Sequence, residues 1–258
     1  MMKLFIRWNV VCLGVFLLSV CCDPPPKERP AARELTLTAF TEDGWKIVST
    51  LYRSDDASNP VLIVLHGLHS TRSVYPIQAA TLKDFHVLAI DLRGHGDSIL
   101  YRGKKATFKQ GIGNIFHGAS NDVVVSLNAA RSQLPDAGRH VVIQGSSYSC
   151  LVALNYAMKH PDHIKGIILI SPGDAYGQSF KTSIQKLRAA GPAARTALLC
   201  SKGDSYCYRH IPSLQHMLAQ SREMRIIIEP GSLHANALFH KRWEKYPAVL
   251  HSFILARE

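Results

Sequence analysis

Residues 141–149, VVIQGSSYS, place a short apolar run directly before a cluster of small residues. A helical stretch is predicted from Tyr148, so Ser147 lies where a strand turns sharply into a helix. A serine at such a turn is held in a strained backbone conformation with its hydroxyl exposed. Because the helix doubles back close to the strand, the residues two places before and after the serine must be small. Gly145 meets this need and Ser149 meets it approximately, and a plain turn stays open as the alternative.

Similar apolar runs recur along the chain and predict strands buried on both faces of a parallel sheet. They lie at 61–65, 87–90, 141–143, 164–170, 197–199 and 226–228. An earlier pair, 34–40 and 46–52, is predicted to form a hairpin around Asp43-Gly44. Helical stretches are predicted at roughly 72–83, 119–134, 148–160, 179–190, 210–220 and 240–256. The alternation predicts one α/β domain with a mostly parallel central sheet and helices on both faces.

An acid and a histidine each follow one of the later runs. Asp204 comes after 197–199, and His234 comes after 226–228. Ligands of open parallel sheets bind at the carboxyl ends of the strands, so these residues and Ser147 are expected to meet there. A serine becomes nucleophilic when a histidine takes its proton, and a buried acid fixes the histidine tautomer. The chain order of the three residues is that of a hydrolase triad on this architecture.

Two backbone N–H groups are predicted to stabilise the oxyanion that forms when a carbonyl is attacked. One belongs to Tyr148, at the start of the helix. The other belongs to Leu68, which follows His66-Gly67 at the end of an early strand.

Several reactive residues keep a second interpretation. Ser146 is a rival nucleophile one place off the turn, and Asp174, after the run at 164–170, is a rival acid. Asp91 and Asp97 are interpreted as structural residues that hold their own turn. The histidines have no clustered carboxylates at ligand spacing, so neither a metal nor another cofactor is predicted.

Six short segments together resemble the α/β-hydrolase family, in particular its small esterase-like and dienelactone-hydrolase-like members. They are His66-Gly67, Asp91 to Ser98 (DLRGHGDS), Gly145 to Ser149, His160 to His163 (HPDH), Gly203-Asp204 and Gly231 to His234. The resemblance covers about 34–258 and implies the α/β-hydrolase fold. It implies that Ser147 is the nucleophile, Asp204 the acid and His234 the base. Leu68 and Tyr148 then supply the oxyanion N–H groups, and the ring of His66 supports the loop that carries Leu68.

What the resemblance implies about activity is a serine hydrolase that cleaves a small-molecule carboxylic ester or thioester through an acyl-enzyme. Two alternatives stay open. One is a binding protein of the same fold with an inactive triad, suggested by Ser149 in place of the usual glycine. The other is a peptidase or acyltransferase that uses the same triad, because fold alone does not separate these activities.

The region where members of this family carry a cap is short here. Only 172–194 lie between two predicted strands, which leaves room for one helix and predicts an open site without a large cap domain. The longest irregular insertion is predicted at Tyr101–Gly118. It is expected to form one wall of the acyl or alcohol pocket through Phe108, Ile112, Ile115 and Phe116.

The N-terminal segment resembles a bacterial lipoprotein signal. Lys3 and Arg7 precede an uncharged apolar core that is too short for a transmembrane helix, which needs about 20 residues. The resemblance implies a signal peptide at 1–21, lipidation of Cys21 or Cys22, and a proline-rich tether at 22–33. The domain at 34–258 would then be exported and anchored in the bacterial cell envelope. An ordinary secretory signal and an uncleaved anchor are the alternatives.

Composition excludes several classes of protein. The chain has 258 residues, 47% of them hydrophobic, and a formal net charge of +11. A disordered chain and a polytopic membrane protein are thereby excluded. Loss of Lys3 and Arg7 with the signal peptide lowers the charge to +9. The remaining basic residues are scattered, so nucleic acid is not a predicted partner.

The cysteines bear on one further question. Cys200 and Cys207 flank Asp204, and in an oxidising compartment they could pair around it. The alternative is that Cys200 is an ordinary buried strand residue.

Overall fold

The computed structural model describes residues 33–75, 81–110, 112–134, 141–190, 194–218 and 223–241, with Ser252 and Ile254. Within these ranges the chain forms a ten-stranded sheet. In chain order the strands are β1 (Arg33–Phe40), β2 (Trp45–Arg53), β3 (Val61–Leu65), β4 (His86–Asp91), β5 (Leu100–Tyr101), β6 (Lys104–Lys105), β7 (Val141–Ser146), β8 (Ile164–Ile170), β9 (Arg195–Ser201) and β10 (Met224–Glu229). The predicted signal peptide and nearly all of the predicted tether lie outside the described residues.

The main part of the sheet is parallel. Its order is β10-β9-β8-β7-β3-β4-β2-β5-β6, and every pair from β10 to β4 is parallel. β2 runs antiparallel to β4 and to β1, and the short strands β5 and β6 extend the antiparallel edge. From β3 the chain proceeds to β4 on one side and later to β7 on the other. This reversal opens a crevice at the carboxyl ends of β3 and β7, where ligands bind in such sheets.

Six α-helices are described. They are α1 (Ile112–Arg131), α2 (Ser149–Lys159), α3 (Phe180–Ala189), α4 (Ser205–Tyr208), α5 (Ile211–Leu218) and α6 (Ala235–Lys241). Short 3-10 turns lie at Arg72–Val74, Phe108–Gln110 and Pro161–His163.

Strand β3 shows why both faces of the sheet are covered. Val61, Ile63 and Leu65 pack into the cluster that contains residues of α1, α2 and α3, whereas Leu62 and Val64 pack into a second cluster on the other face. All five are fully buried. Side chains alternate between the faces of a strand, so a continuous apolar run is the pattern of a strand covered on both sides. The predicted parallel sheet with helices on both faces is confirmed.

The prediction that Tyr101–Gly118 is irregular is wrong in two places. Helix α1 begins at Ile112, seven residues before its predicted start, and the hairpin of β5 and β6 lies at 100–105. Glycine has a low helix propensity, so the local sequence around Gly113 and Gly118 does not indicate a helix. Gly118 has a packing role instead, because a Cβ atom there would lie 2.6 Å from the guanidinium carbon of Arg93.

Two other predicted helices lie largely outside the described residues. Of 72–83, the described part holds the 3-10 turn at Arg72–Val74. Of 240–256, His240 and Lys241 belong to α6, which begins earlier, at Ala235, and Ser252 and Ile254 are the other described residues.

The described residues between β8 and β9 form one helix, α3, with its loops. Over this part of the chain the prediction of no large cap domain is confirmed. None of the helices in the described ranges combines the length and the apolar character needed to cross a membrane.

Candidate active site

Ser147 lies in the turn between β7 and α2 with a φ of +56°. A positive φ is unfavourable for a residue with a side chain, so the surrounding structure must impose it. Gly145 permits the turn: a Cβ atom there would lie 2.6 Å from Cα of Cys150 and 2.6 Å from the carbonyl oxygen of Ser149. The sharp strand-to-helix turn predicted at 141–149 is therefore present.

Ser149 fits the turn through hydrogen bonds. Its hydroxyl is fully buried and accepts the N–H of Ser146 at 2.8 Å. The same Oγ lies 3.1 Å from the carbonyl oxygen of Leu65 and 3.0 Å from that of Ser146, and its one hydrogen is shared between these two acceptors. The hydroxyl thus joins the carboxyl ends of β3 and β7. The departure from glycine is accommodated without loss of the turn.

Ser147, His234 and Asp204 form a continuous line of hydrogen bonds. Nε2 of His234 lies 3.0 Å from Oγ of Ser147, and Nδ1 lies 2.8 Å from Oδ2 of Asp204. A carboxylate only accepts hydrogen bonds, so Nδ1 of His234 donates its N–H to Asp204 and Nε2 carries the lone pair that faces the serine. The imidazole is 41% exposed, whereas the carboxylate is 4% exposed.

The carboxylate of Asp204 is held in place by several donors. Its side chain caps the short helix α4 by accepting the N–H of Cys207. Burial opposes ionisation, but hydrogen bonds from His234 and Ser171 leave the pKa of Asp204 below its ordinary value. The group is therefore a carboxylate at neutral pH.

Ser171 is a functional candidate that the sequence analysis missed. It follows β8 with a φ of +50°, and its hydroxyl bonds to the carboxylate of Asp204. The same Oγ accepts the N–H of Ala235 at 2.9 Å. One hydroxyl thus braces both the acid and the backbone next to His234. Its position directly after an apolar run was the available sequence signal.

The two N–H groups predicted to stabilise the oxyanion, those of Leu68 and Tyr148, both lie close to Ser147. A Cβ atom on Gly67 would lie 3.9 Å from Cβ of Ser147, so the loop that carries Leu68 passes beside the serine. The N–H of Tyr148 lies at the start of α2, directly after the serine. Among the described residues neither N–H has a hydrogen-bond partner. Both are available to a developing negative charge.

The ring of His66 orients the loop that carries Leu68, which we call the oxyanion loop. Its Nε2 accepts the N–H of Leu92 at 3.1 Å, which leaves the proton on Nδ1, 2.8 Å from the carbonyl oxygen of Gly67. Burial, with the nearby ring of His95, lowers the pKa of His66 to about 3, so the ring is neutral. Because C=O and N–H of a planar trans peptide point in opposite directions, fixing the carbonyl of Gly67 also aims the N–H of Leu68.

The rival residues lie in other networks. Ser146 is fully buried at the end of β7. Asp174 accepts the N–H of Phe180 at 2.7 Å, at the start of α3. Asp91 is fully buried and binds Arg72, which also binds Asp97 at 2.7 Å. These contacts support structural roles for the three carboxylates.

A small pocket opens beside the oxyanion loop. Its cavity volume is about 10 Å³, which leaves room for about one water molecule. Its lining residues are Leu68, Leu92, Arg93, His95, Phe108, Phe116, Ala119, Tyr148 and Tyr176. Phe108 and Phe116 come from the segment predicted to form a pocket wall. The side chains of Ile112 and Ile115 lie outside the described part.

The cysteines near the acid are thiols. Cys200 and Cys207 are both buried and free. Neither contributes to the line of hydrogen bonds from Asp204 to Ser147. Over the described residues, no group of three His, Cys, Asp or Glu side chains is placed to hold a metal ion.

Fold and site define the class of protein. The sequence pattern of the alpha/beta hydrolase fold matches residues 60–202, and the chain belongs to this family.

The chain is similar to several named proteins. It is 28% identical over 165 residues to epoxide hydrolase B of Mycobacterium tuberculosis, covering 58% of this chain and 42% of that protein. It is 27% identical over 137 residues to the proline iminopeptidase PfmaB of Pestalotiopsis fici, covering 52% and 43%. The matches thus span less than half of either relative. An esterase from Pyrococcus furiosus superposes with a TM-score of 0.61 at 15% identity, covering 86% of this chain and 91% of that one, and shares the fold.

Proposed function

We propose that the protein is a serine hydrolase that cleaves a carboxylic ester or thioester through an acyl-enzyme on Ser147. The observation that carries the proposal is the line of hydrogen bonds from Asp204 through His234 to Ser147, at 2.8 and 3.0 Å. These distances are within the range expected for an activated nucleophile and its base.

In the proposed mechanism, Oγ of Ser147 attacks the carbonyl carbon while Nε2 of His234 takes its proton. The N–H groups of Leu68 and Tyr148 stabilise the resulting oxyanion. His234 then gives the proton to the leaving alcohol or thiol, and the carbonyl forms again as the acyl-enzyme. A water molecule attacks that carbonyl and His234 takes its proton. His234 then returns the proton to Oγ of Ser147 as the acid product leaves. Asp204 remains a carboxylate throughout and stabilises the imidazolium.

Two other activities are compatible with the same residues. The match to a proline iminopeptidase supports cleavage of an aminoacyl amide as a second candidate. The match to an epoxide hydrolase makes epoxides a further class to test. A binding protein with an inactive triad is less well supported, because Ser149 is accommodated by hydrogen bonds at the turn.

The experiment is a substrate panel with matched serine variants. Short-chain p-nitrophenyl esters, acyl thioesters, aminoacyl amides and epoxides are offered to the wild type, Ser147→Ala and Ser146→Ala. We expect ester or thioester turnover in the wild type and in Ser146→Ala. Ser147→Ala should lose at least about a thousandfold in kcat/KM. Full activity in Ser147→Ala contradicts the assignment, and turnover of amides alone favours the peptidase.

We also propose that the mature chain is lipid-anchored in a bacterial cell envelope through Cys21 or Cys22. The support is the sequence of residues 1–33. Expression in a bacterium followed by intact-mass measurement of the membrane fraction tests this, with Cys21→Ala and Cys22→Ala compared side by side. One variant should lose the lipid mass and leave the membrane. An unmodified N-terminal cysteine, or cleavage elsewhere, contradicts the anchor.

A further inference from the structure

We propose that Tyr206 is a positioning residue for His234, holding the imidazole in the orientation that the reaction needs. The inference rests on the proposed function, because it concerns the base that would activate Ser147. It deepens that function by adding a residue outside the triad on which the rate depends.

The ring of Tyr206 packs against the imidazole of His234. The two ring centroids lie 5.4 Å apart, and the ring planes are nearly perpendicular, at 82°. Aromatic rings favour this edge-to-face arrangement, with centroids about 4.5–7 Å apart. The contact therefore restricts the space in which the imidazole can move.

The hydrogen bonds of the triad do not hold the imidazole equally well through the whole reaction. The side chain of His234 is 41% exposed, so part of its surroundings is solvent into which it can swing. Once Oγ of Ser147 is bonded to the acyl carbon, the N–H at Nε2 must turn from the serine to the leaving group. The bond to Asp204 is then the remaining hydrogen bond within the triad, and the contact with Tyr206 adds a second restraint.

The acid and Tyr206 belong to the same turn of the chain. Asp204 caps α4, and Tyr206 is the second residue of that helix. Asp204 bonds to Nδ1 of His234 at 2.8 Å while Tyr206 packs against the ring. One turn thus constrains the base both by a hydrogen bond and by packing.

Tyr206 is anchored by groups other than His234. Its phenol donates a hydrogen bond to the backbone carbonyl of Asp174 at 2.8 Å. Burial raises the pKa of the phenol to about 12, so the donated proton is present at neutral pH. The guanidinium of Arg209 lies over the ring, 5.6 Å from its centroid, at a cation–π distance. A ring fixed in this way can serve as a support for the imidazole.

Gly173 leaves the space that the ring of Tyr206 occupies. A Cβ atom on Gly173 would lie 2.5 Å from Cε1 and 2.6 Å from Cζ of Tyr206. These distances are far shorter than a carbon–carbon contact, so an alanine here must displace the ring. The φ angle of Gly173 lies outside the left-handed region, so alanine adds a methyl group without the backbone strain of a positive φ.

Matched substitutions at Tyr206 test the role of the ring. Tyr206→Phe keeps the ring and removes the phenol, whereas Tyr206→Leu removes the aromatic contact and keeps an apolar side chain. With the best ester of the panel, Tyr206→Phe should stay within a few-fold of the wild type. Tyr206→Leu should lose about tenfold to a hundredfold in kcat with little change in KM, as a misplaced catalytic group does.

Tyr208→Leu, on the same helix, is the control and should keep kcat within a few-fold. A Tyr206→Leu variant with the kcat of the wild type overturns the inference. A loss that appears only in KM, or one that is equal in Tyr208→Leu, overturns it too.

A double-mutant cycle probes the same contact from the other side. Gly173→Ala should lower kcat about tenfold, because the displaced ring no longer supports the base. In the Tyr206→Leu background the same substitution should cost less than about threefold, since the ring is gone and leucine can move aside. Losses that simply multiply would contradict the coupling. If Gly173→Ala does not fold, the Tyr206 variants decide alone.

A spectroscopic measurement separates this inference from the proposed function. The Nδ1 proton of His234, donated to Asp204, should give a far-downfield signal in proton nuclear magnetic resonance when the ring is held in place. We expect that signal in the wild type and in Tyr206→Phe, and its broadening or loss in Tyr206→Leu. If no ester is cleaved, the proposed function fails, but this comparison still applies. A wild type without the signal, or an equally sharp signal in Tyr206→Leu, contradicts the positioning role.

Discussion

Nε2 of His234 lies 3.0 Å from Oγ of Ser147, although the two residues are 87 positions apart in the chain. Ser147 follows β7 and His234 follows β10, with β8 and β9 between these strands in the sheet. The parallel arrangement brings the carboxyl ends of all four strands to one edge. The geometry of the proposed triad is therefore set by the topology of the sheet, and hydrogen bonds from side chains such as Ser171 add to it.

Replacing Asp204 by Asn should reduce kcat by about ten-thousandfold with little change in KM. The amide can donate to Nδ1 of His234, which leaves the proton on Nε2 and removes the base that faces Ser147. Steady-state kinetics with the best ester of the panel measure this.

Asp174→Asn is the matched control for that variant, since Asp174 is the rival acid. It should keep most of the activity because its carboxylate caps α3. Loss of activity in Asp174→Asn with retention in Asp204→Asn contradicts the assignment of the acid.

His66 should make the protein less stable as the pH falls from 7 to 5. Its folded pKa of about 3 lies below the ordinary 6.5, so the unfolded chain binds a proton that the folded chain does not. Its contribution is therefore complete above the unfolded pKa and declines as the pH falls toward 3. At pH 5 this one group lowers the free energy of unfolding by about 2 kcal/mol relative to pH 7.

Urea unfolding at pH 7 and 5 measures this loss, and His66→Gln should reduce it. Should that variant fail to fold, nuclear magnetic resonance of the wild type gives a second readout. The ring signals of His66 should not titrate between pH 8 and 5. An identical pH dependence in wild type and His66→Gln, or a titration near pH 6.5, contradicts the buried neutral ring.

Ser149→Gly restores the small residue usual at this turn and should nevertheless destabilise the fold. The hydroxyl bonds to the backbone of Ser146 and Leu65 are lost, and glycine adds a cost in the helix. We expect a loss of about 2 kcal/mol in the free energy of unfolding, with kcat changed only a few-fold.

Ser149→Ala isolates the hydroxyl in that comparison, because alanine favours the helix. It should lose about 1 kcal/mol. A glycine variant as stable as the wild type, or one with greatly increased kcat, would contradict the stabilising role of the Ser149 hydroxyl.

Much of this site was predictable because each reactive residue lies in the loop that follows a continuous apolar run. That rule located Ser147, Asp204 and His234 from the sequence, and the apolar runs themselves located the parallel strands β3, β4 and β7 to β10. It depends only on burial and on the carboxyl ends of parallel strands meeting at one edge.

Other features depend on contacts between distant parts of the chain. The start of α1 at Ile112 was missed because the packing of Gly118 against Arg93 is not visible in local propensity. Ser171 gains its role only when β8 places it between Asp204 and Ala235. The stacking of His95 on Phe108 likewise needs the folded chain.

The most direct test of the central claim is labelling with a fluorophosphonate, which reacts only with an activated serine. Intact mass and peptide mapping of the labelled protein identify the modified residue. The account predicts one adduct, on Ser147, that disappears in Ser147→Ala, persists in Ser146→Ala and forms far more slowly in Asp204→Asn. An unlabelled wild-type protein, or an adduct on any other serine, would contradict it.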